Sequence, residues 1–112
     1  MLKKRLDKRC LGIILHYGPV KQQRKLAEEQ FELQQAITEV ELRDQNHLRE
    51  ISEYQQDILI DEIADNLVML AQYIQYYDLP IEKIDERMDY KLDRQEERIA
   101  NEIHDNKQNR LN

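Results

Sequence analysis

Turn-forming residues are almost absent from this chain, and their scarcity decides most of what it can fold into. Gly12, Gly18, Pro19 and Pro80 are its only glycines and prolines. β-Sandwiches, phosphate-cradling loops and dinucleotide folds all need many more such residues at fixed places. What remains is a small number of long helices. Gly18-Pro19 predicts one break and Asp78-Leu79-Pro80 another, because proline suits the first turn of a helix and glycine suits the residue just past its end. The polar stretch Arg43-Asp44-Gln45-Asn46 supplies the third.

These breaks predict an all-α, four-helix protein in one domain over residues 1–112. The N-terminal helix occupies residues 1–15 and ends near His16 or Tyr17. The second runs from Val20 to Leu42, and the third from His47 to Tyr77 with a bend near Glu53 to Gln56. The fourth runs from Pro80 to His104, and residues 105–112 form a polar tail expected to fray.

Charge and cysteine content narrow the setting. A formal net charge of -6 argues against binding a nucleic-acid polymer or a membrane surface, since both need a broad positive field. No stretch approaches the roughly 20 apolar residues of a membrane span. Cys10 is the only cysteine; it reads as a small buried hydrophobe and fits a reducing, cytoplasmic compartment.

The carboxylates carry the chemistry. At about 100° per residue, Leu26, Leu33, Ile37 and Val40 line one stripe of the second helix. Glu29 falls inside it, Glu32 on its flank, and Glu28 points away. The third helix has two apolar stripes, one through Ile60, Ile63, Leu67, Ala71 and Ile74. The other passes through Ile58, Glu62, Asp65, Met69 and Tyr76, so Glu62 and Asp65 are expected to be partly buried. Ionised carboxylates taken out of water need a counter-charge. Pairs spaced i and i+3 on two facing helices can converge on one ion, and all-oxygen ligation favours Mg²⁺, with Mn²⁺ as a substitute. Lys25, one turn before Glu29, is read as an i,i+4 ion pair.

On the fourth helix Ile81, Ile84, Met88, Leu92 and Ile99 form the expected core face. Arg87, Lys91, Arg94 and Arg98 line one flank and acids gather on the other. Like charges one turn apart weaken an isolated helix, so a phosphate-bearing ligand or an acidic neighbour should compensate. His16, Tyr17, Phe31 and Tyr73 are candidates for stacking on a base by position, with core packing the competing role. His47 and His104 are expected to face solvent.

Glu28-Glu29-Gln30-Phe31-Glu32, followed by Glu62-Ile63-Ala64-Asp65, resembles the EExxE and ExxD signature of the MazG-like, all-α nucleoside triphosphate pyrophosphohydrolases. Lys25-Leu26-Ala27 before the first acids and Asn66-Leu67-Val68-Met69-Leu70 after the second fit the same context. The resemblance covers about His16 to Arg98. It implies an oligomeric, homodimeric or homotetrameric four-helix bundle. The implied activity is Mg²⁺-dependent hydrolysis of a nucleoside triphosphate between its α and β phosphates, giving the monophosphate and pyrophosphate. It also implies Glu29, Glu32, Glu62 and Asp65 as metal ligands, Glu28 or Glu32 as the group that handles the water's proton, and Lys91, Arg94 and Arg98 as phosphate contacts. His16 and Tyr17 remain the candidates for the base. Two alternatives stand beside this reading: a non-enzymatic helical module that oligomerises through the same faces, and a nucleotide sensor that binds without hydrolysis.

Overall fold

The computed structural model describes residues 6–44 and 48–111 of the chain. Among these residues it is all-helical, with α1 at Arg9–Tyr17, α2 at Pro19–Arg43, α3 at Glu53–Tyr76 and α4 at Ile81–Leu111. Two compact units emerge: Leu6–Leu79, which contains α1 to α3, and a second in which Pro80–Asn112 carries α4.

Each boundary has a local cause. Asp7 starts α1, its carboxylate accepting from the Arg9 N–H at 2.9 Å and its carbonyl from the Cys10 N–H at 3.0 Å. The N–H of Leu11 is satisfied from across the unit by Gln75 Oε1 at 2.8 Å, while Gln75 Nε2 donates to the Asp7 carbonyl at 2.8 Å. One side chain of α3 thus completes the first turn of α1. Gly18 joins α1 to α2 alone, at φ 89°, a conformation glycine adopts without steric cost. Ser52 caps α3 by accepting from the Gln55 N–H at 3.2 Å. At its other end Asp78 takes φ 49°, and the Leu79 N–H returns to the Ile74 carbonyl at 2.9 Å.

Several boundaries differ from the sequence reading. Leu6 to Lys8 precede α1 instead of belonging to it, because Asp7 caps the helix at Arg9; residues 1–5 lie outside the described residues. Helix α3 starts at Glu53, not His47. Residues 48–52 are not helical: the Asp44 carboxylate accepts from the Leu48 N–H at 2.8 Å and the Arg49 N–H at 3.0 Å, and Arg49 sits at φ 58°. His47 itself lies outside the described residues. The segment expected to fray is helical through Leu111.

The α1–α3 core is small. Cys10, Ile14, Ala36, Met69 and Ala71 are buried, Ile14 completely. Polar side chains share that interior: Gln22, Glu29, Gln55, Asn66 and Gln72 are all buried. Gln22 Nε2 donates to Gln72 Oε1 at 2.8 Å, so the two carboxamides offset part of each other's desolvation. The Tyr73 hydroxyl donates to the Pro19 carbonyl at 2.9 Å, which ties the start of α2 to α3.

Of the two apolar stripes on α3, the one carrying Glu62 and Met69 faces inward. The other is a correction to the sequence reading: Ile60 is 56% exposed and Ile63 46%, with only Ala71 of that stripe buried. Phe31 is also exposed. On α4, taken by itself, Ile81 is the one buried residue, and Leu92 and Ile99 of the expected core face are exposed.

Candidate metal centre and adjoining cleft

The buried stripe of α2 reads Gln22, Leu26, Glu29, Leu33, Ala36 and Val40, with steps of four and three residues. Helical geometry puts these on one face, and Glu29 is carried inside with the apolar residues, to 6% exposure. Opposite it, α3 presents Glu62, half-buried, and Asn66, buried. Asn66 fixes the register of the two helices at this level, because its Nδ2 donates both to the Glu29 carbonyl at 2.9 Å and to the Glu62 carbonyl at 2.8 Å.

The consequence is a carboxylate cluster. One oxygen from each of Glu29, Glu32 and Glu62 lies within 4.8 Å of the others. Asp65, one turn beyond Glu62, lies outside that triad but near enough to the Glu29 carboxylate to feel its charge. It is more exposed than its stripe predicts, since it stands at the edge of the α2–α3 contact. Glu28 faces outward, as the wheel places it.

The electrostatics follow from that crowding. Loss of water, followed by repulsion from Glu32, Asp65 and Glu29, raises the Glu62 pKa above its ordinary value. Asp65 is raised as well, by desolvation first and then by the Glu29 carboxylate. Helix α3 contains no Lys, Arg or His, so it brings no counter-charge of its own. Lys25 supplies one from α2: its Nζ lies 3.0 Å from Glu29 Oε1 and 3.6 Å from Glu28 Oε2, in keeping with the expected i,i+4 pair. Those carboxylates raise the Lys25 pKa in turn. The neutralisation is incomplete, because Glu29 Oε2 and Glu62 Oε2 are both buried and face no hydrogen-bond donor.

A buried carboxylate oxygen without a donor costs free energy, and the donor set here is all oxygen, the preference of Mg²⁺ and Mn²⁺. The residues therefore fit a hard divalent cation. Beside the acids opens a cleft of about 620 Å³, bordered by Tyr17, Lys21, Arg24, Lys25, Glu29 and Asp65 and floored by Met69 and Gln72. Lys21 Nζ lies 4.9 Å from the centre of the Tyr17 ring, within cation–π range.

Of the residues singled out from sequence, Glu29, Glu32 and Glu62 converge, Asp65 adjoins them, and Glu28 and Tyr17 border the cleft. His16 stacks edge-on against Tyr17 at 4.7 Å between ring centres but does not line the cleft. Lys91, Arg94 and Arg98 are exposed on α4. Sequence reasoning missed Gln22, Asn66 and Gln72, and the cleft-side roles of Lys21 and Arg24. The signal for Gln22 was present, since it extends the Glu29 stripe by one heptad. Comparison with known proteins finds no matching family model, no matching curated protein and no matching solved structure.

Proposed function

We propose that the chain is a metal-dependent nucleotide pyrophosphohydrolase, as its EExxE and ExxD motifs suggest, working in the cytoplasm. The observation that carries this reading is the triad of Glu29, Glu32 and Glu62 within 4.8 Å, with two of its buried oxygens facing no donor. Glu29, Glu32 and Glu62, with Asp65 beside them, would hold Mg²⁺ or Mn²⁺, which supplies positive charge to phosphate oxygens and to the leaving pyrophosphate.

The chain's own residues then divide the work. Glu28, or Glu32 where it does not ligate, accepts the proton of the attacking water. The water oxygen bonds to the α phosphorus, the bond to the bridging oxygen breaks, and pyrophosphate leaves. Tyr17 provides an aromatic face for the base. The motif resemblance adds Lys91, Arg94 and Arg98 of α4 as phosphate contacts. Glu62→Gln and Asp65→Asn should each abolish Mg²⁺-dependent pyrophosphate release from a panel of nucleoside triphosphates and leave the helical circular dichroism intact; normal turnover in both variants would refute the assignment.

The second reading, an oligomerising helical module, has its own support in the exposed apolar residues Leu92 and Ile99 of α4 and Ile60 and Ile63 of α3, which a second copy could cover. The two readings are compatible if the enzyme is a homodimer or homotetramer. They separate on metal: a pure interaction module takes up no Mg²⁺ and gains no thermal stability from it.

A further inference from the structure

We propose that Lys25 is a resident counter-ion that a divalent cation displaces from Glu29, and that the freed ammonium joins Lys21 and Arg24 to hold the phosphates of an anionic ligand in the adjoining cleft. This rests on the metal reading above and adds to it a coupling between the metal and anion sites.

The geometry supports each half. Lys25 Nζ stands 3.0 Å from Glu29 Oε1, so it already satisfies the carboxylate a metal would need. It is the cation that ion-pairs with this cluster among the described residues. One positive charge is set against the carboxylates of Glu29, Glu32, Glu62 and Asp65, and Glu29 Oε2 and Glu62 Oε2 remain without a donor. A divalent ion doubles the compensating charge and approaches carboxylate oxygens to about 2.1 Å, closer than an ammonium can. The lysine can yield its place, because its side chain is 52% exposed and its flexible stem lets the head move into water.

Its destination is set by the helix. Lys21, Arg24 and Lys25 stand at i, i+3 and i+4 on α2, one side of one helical turn, and all three border the cleft that reaches Glu29 and Asp65. While Lys25 is paired with Glu29, the anion site lacks one of its cations. Metal binding supplies it. A phosphate-bearing ligand and a divalent ion should therefore favour each other through Lys25, in addition to any direct bond between them.

Calorimetric titration of Mg²⁺ alone into the wild-type chain and into Lys25→Met tests the displacement. Removing the competitor should tighten Mg²⁺ binding by about fivefold or more, and Lys25→Arg, which keeps the charge, should stay near wild type. Thermal unfolding with Mg²⁺ and inorganic pyrophosphate tests the cleft. Pyrophosphate should raise the melting temperature of the wild type, and raise it less in Lys25→Met and in Lys21→Gln/Arg24→Gln. Equal or weaker Mg²⁺ binding by Lys25→Met, with the wild type binding normally, overturns the displacement and leaves the metal reading standing. Undiminished stabilisation by pyrophosphate in both the single and the double variant overturns the cleft assignment. Failure of both wild type and Lys25→Met to take up Mg²⁺ overturns the metal reading and this inference together.

Discussion

Helix α2 and helix α4 carry similar sequence patterns with opposite outcomes. Both have an apolar stripe at steps of three and four residues and charges along the flanks. In α2 that stripe is covered by α1 and α3, and the cover is tight enough to take Gln22 and Glu29 inside with it. In α4 the stripe from Leu92 onward is open to solvent. Periodicity thus states which side of a helix is apolar, while burial depends on what is placed against that side. The acids of α4 from Asp89 onward are exposed, whereas Glu62 and Asp65 lose water and are crowded by other carboxyls, which raises their pKa values.

The comparison can be broken most decisively by truncating one apolar residue of the α1–α3 core that covers the α2 stripe and one of α4. Ile14→Ala, at a fully buried site, should cost about 3 kcal/mol in urea unfolding, whereas Ile99→Ala on α4 should stay within about 0.5 kcal/mol in a monomeric sample. An equal cost at both sites would show that α4 is as well covered as the α1–α3 core. If the cost at Ile99 grows with protein concentration, a second copy supplies the cover.

A smaller effect is expected at the polar centre of the α2–α3 contact. Asn66→Ala removes the two hydrogen bonds that align Glu29 with Glu62 and should cost about 2 kcal/mol, read from the shift in the chemical denaturation midpoint. It should also weaken Mg²⁺ binding, because the carboxylates lose their common register.

The least drastic test changes only pH. Raised carboxyl pKa values mean that the folded chain binds protons more tightly than the unfolded chain at Glu62 and Asp65. Their favourable contribution is complete below the unfolded values near 4 and is lost as pH rises through the higher folded values. The metal-free protein should therefore lose stability across that window, and Glu62→Gln should flatten the loss and raise the melting temperature at neutral pH. Mg²⁺ should restore stability at neutral pH and have little effect in acid, where protons occupy the same oxygens.

The sequence by itself determined the helices and the candidate ligands. Two glycines and two prolines leave few places for a chain to turn, so the breaks at Gly18-Pro19 and Asp78-Leu79-Pro80 were legible, and so was α2 to within a residue at either end. Glu29, at the centre of an apolar stripe, was identifiable as a buried acid from helical geometry alone. The start of α3 was not legible, because the N–H groups of Leu48 and Arg49 are taken up by the Asp44 carboxylate, and composition does not encode such a contact. Tertiary structure alone decided which stripe of α3 turned inward, because both are apolar and the choice depends on the partner helix. It likewise decided that Glu32 joins the cluster while Asp65 stands at its edge, and that Lys21, Arg24 and Lys25 border one cleft. Those outcomes depend on the rotation and register of two helices against each other, which Asn66 and the Gln22–Gln72 pair set through contacts between residues far apart in the chain.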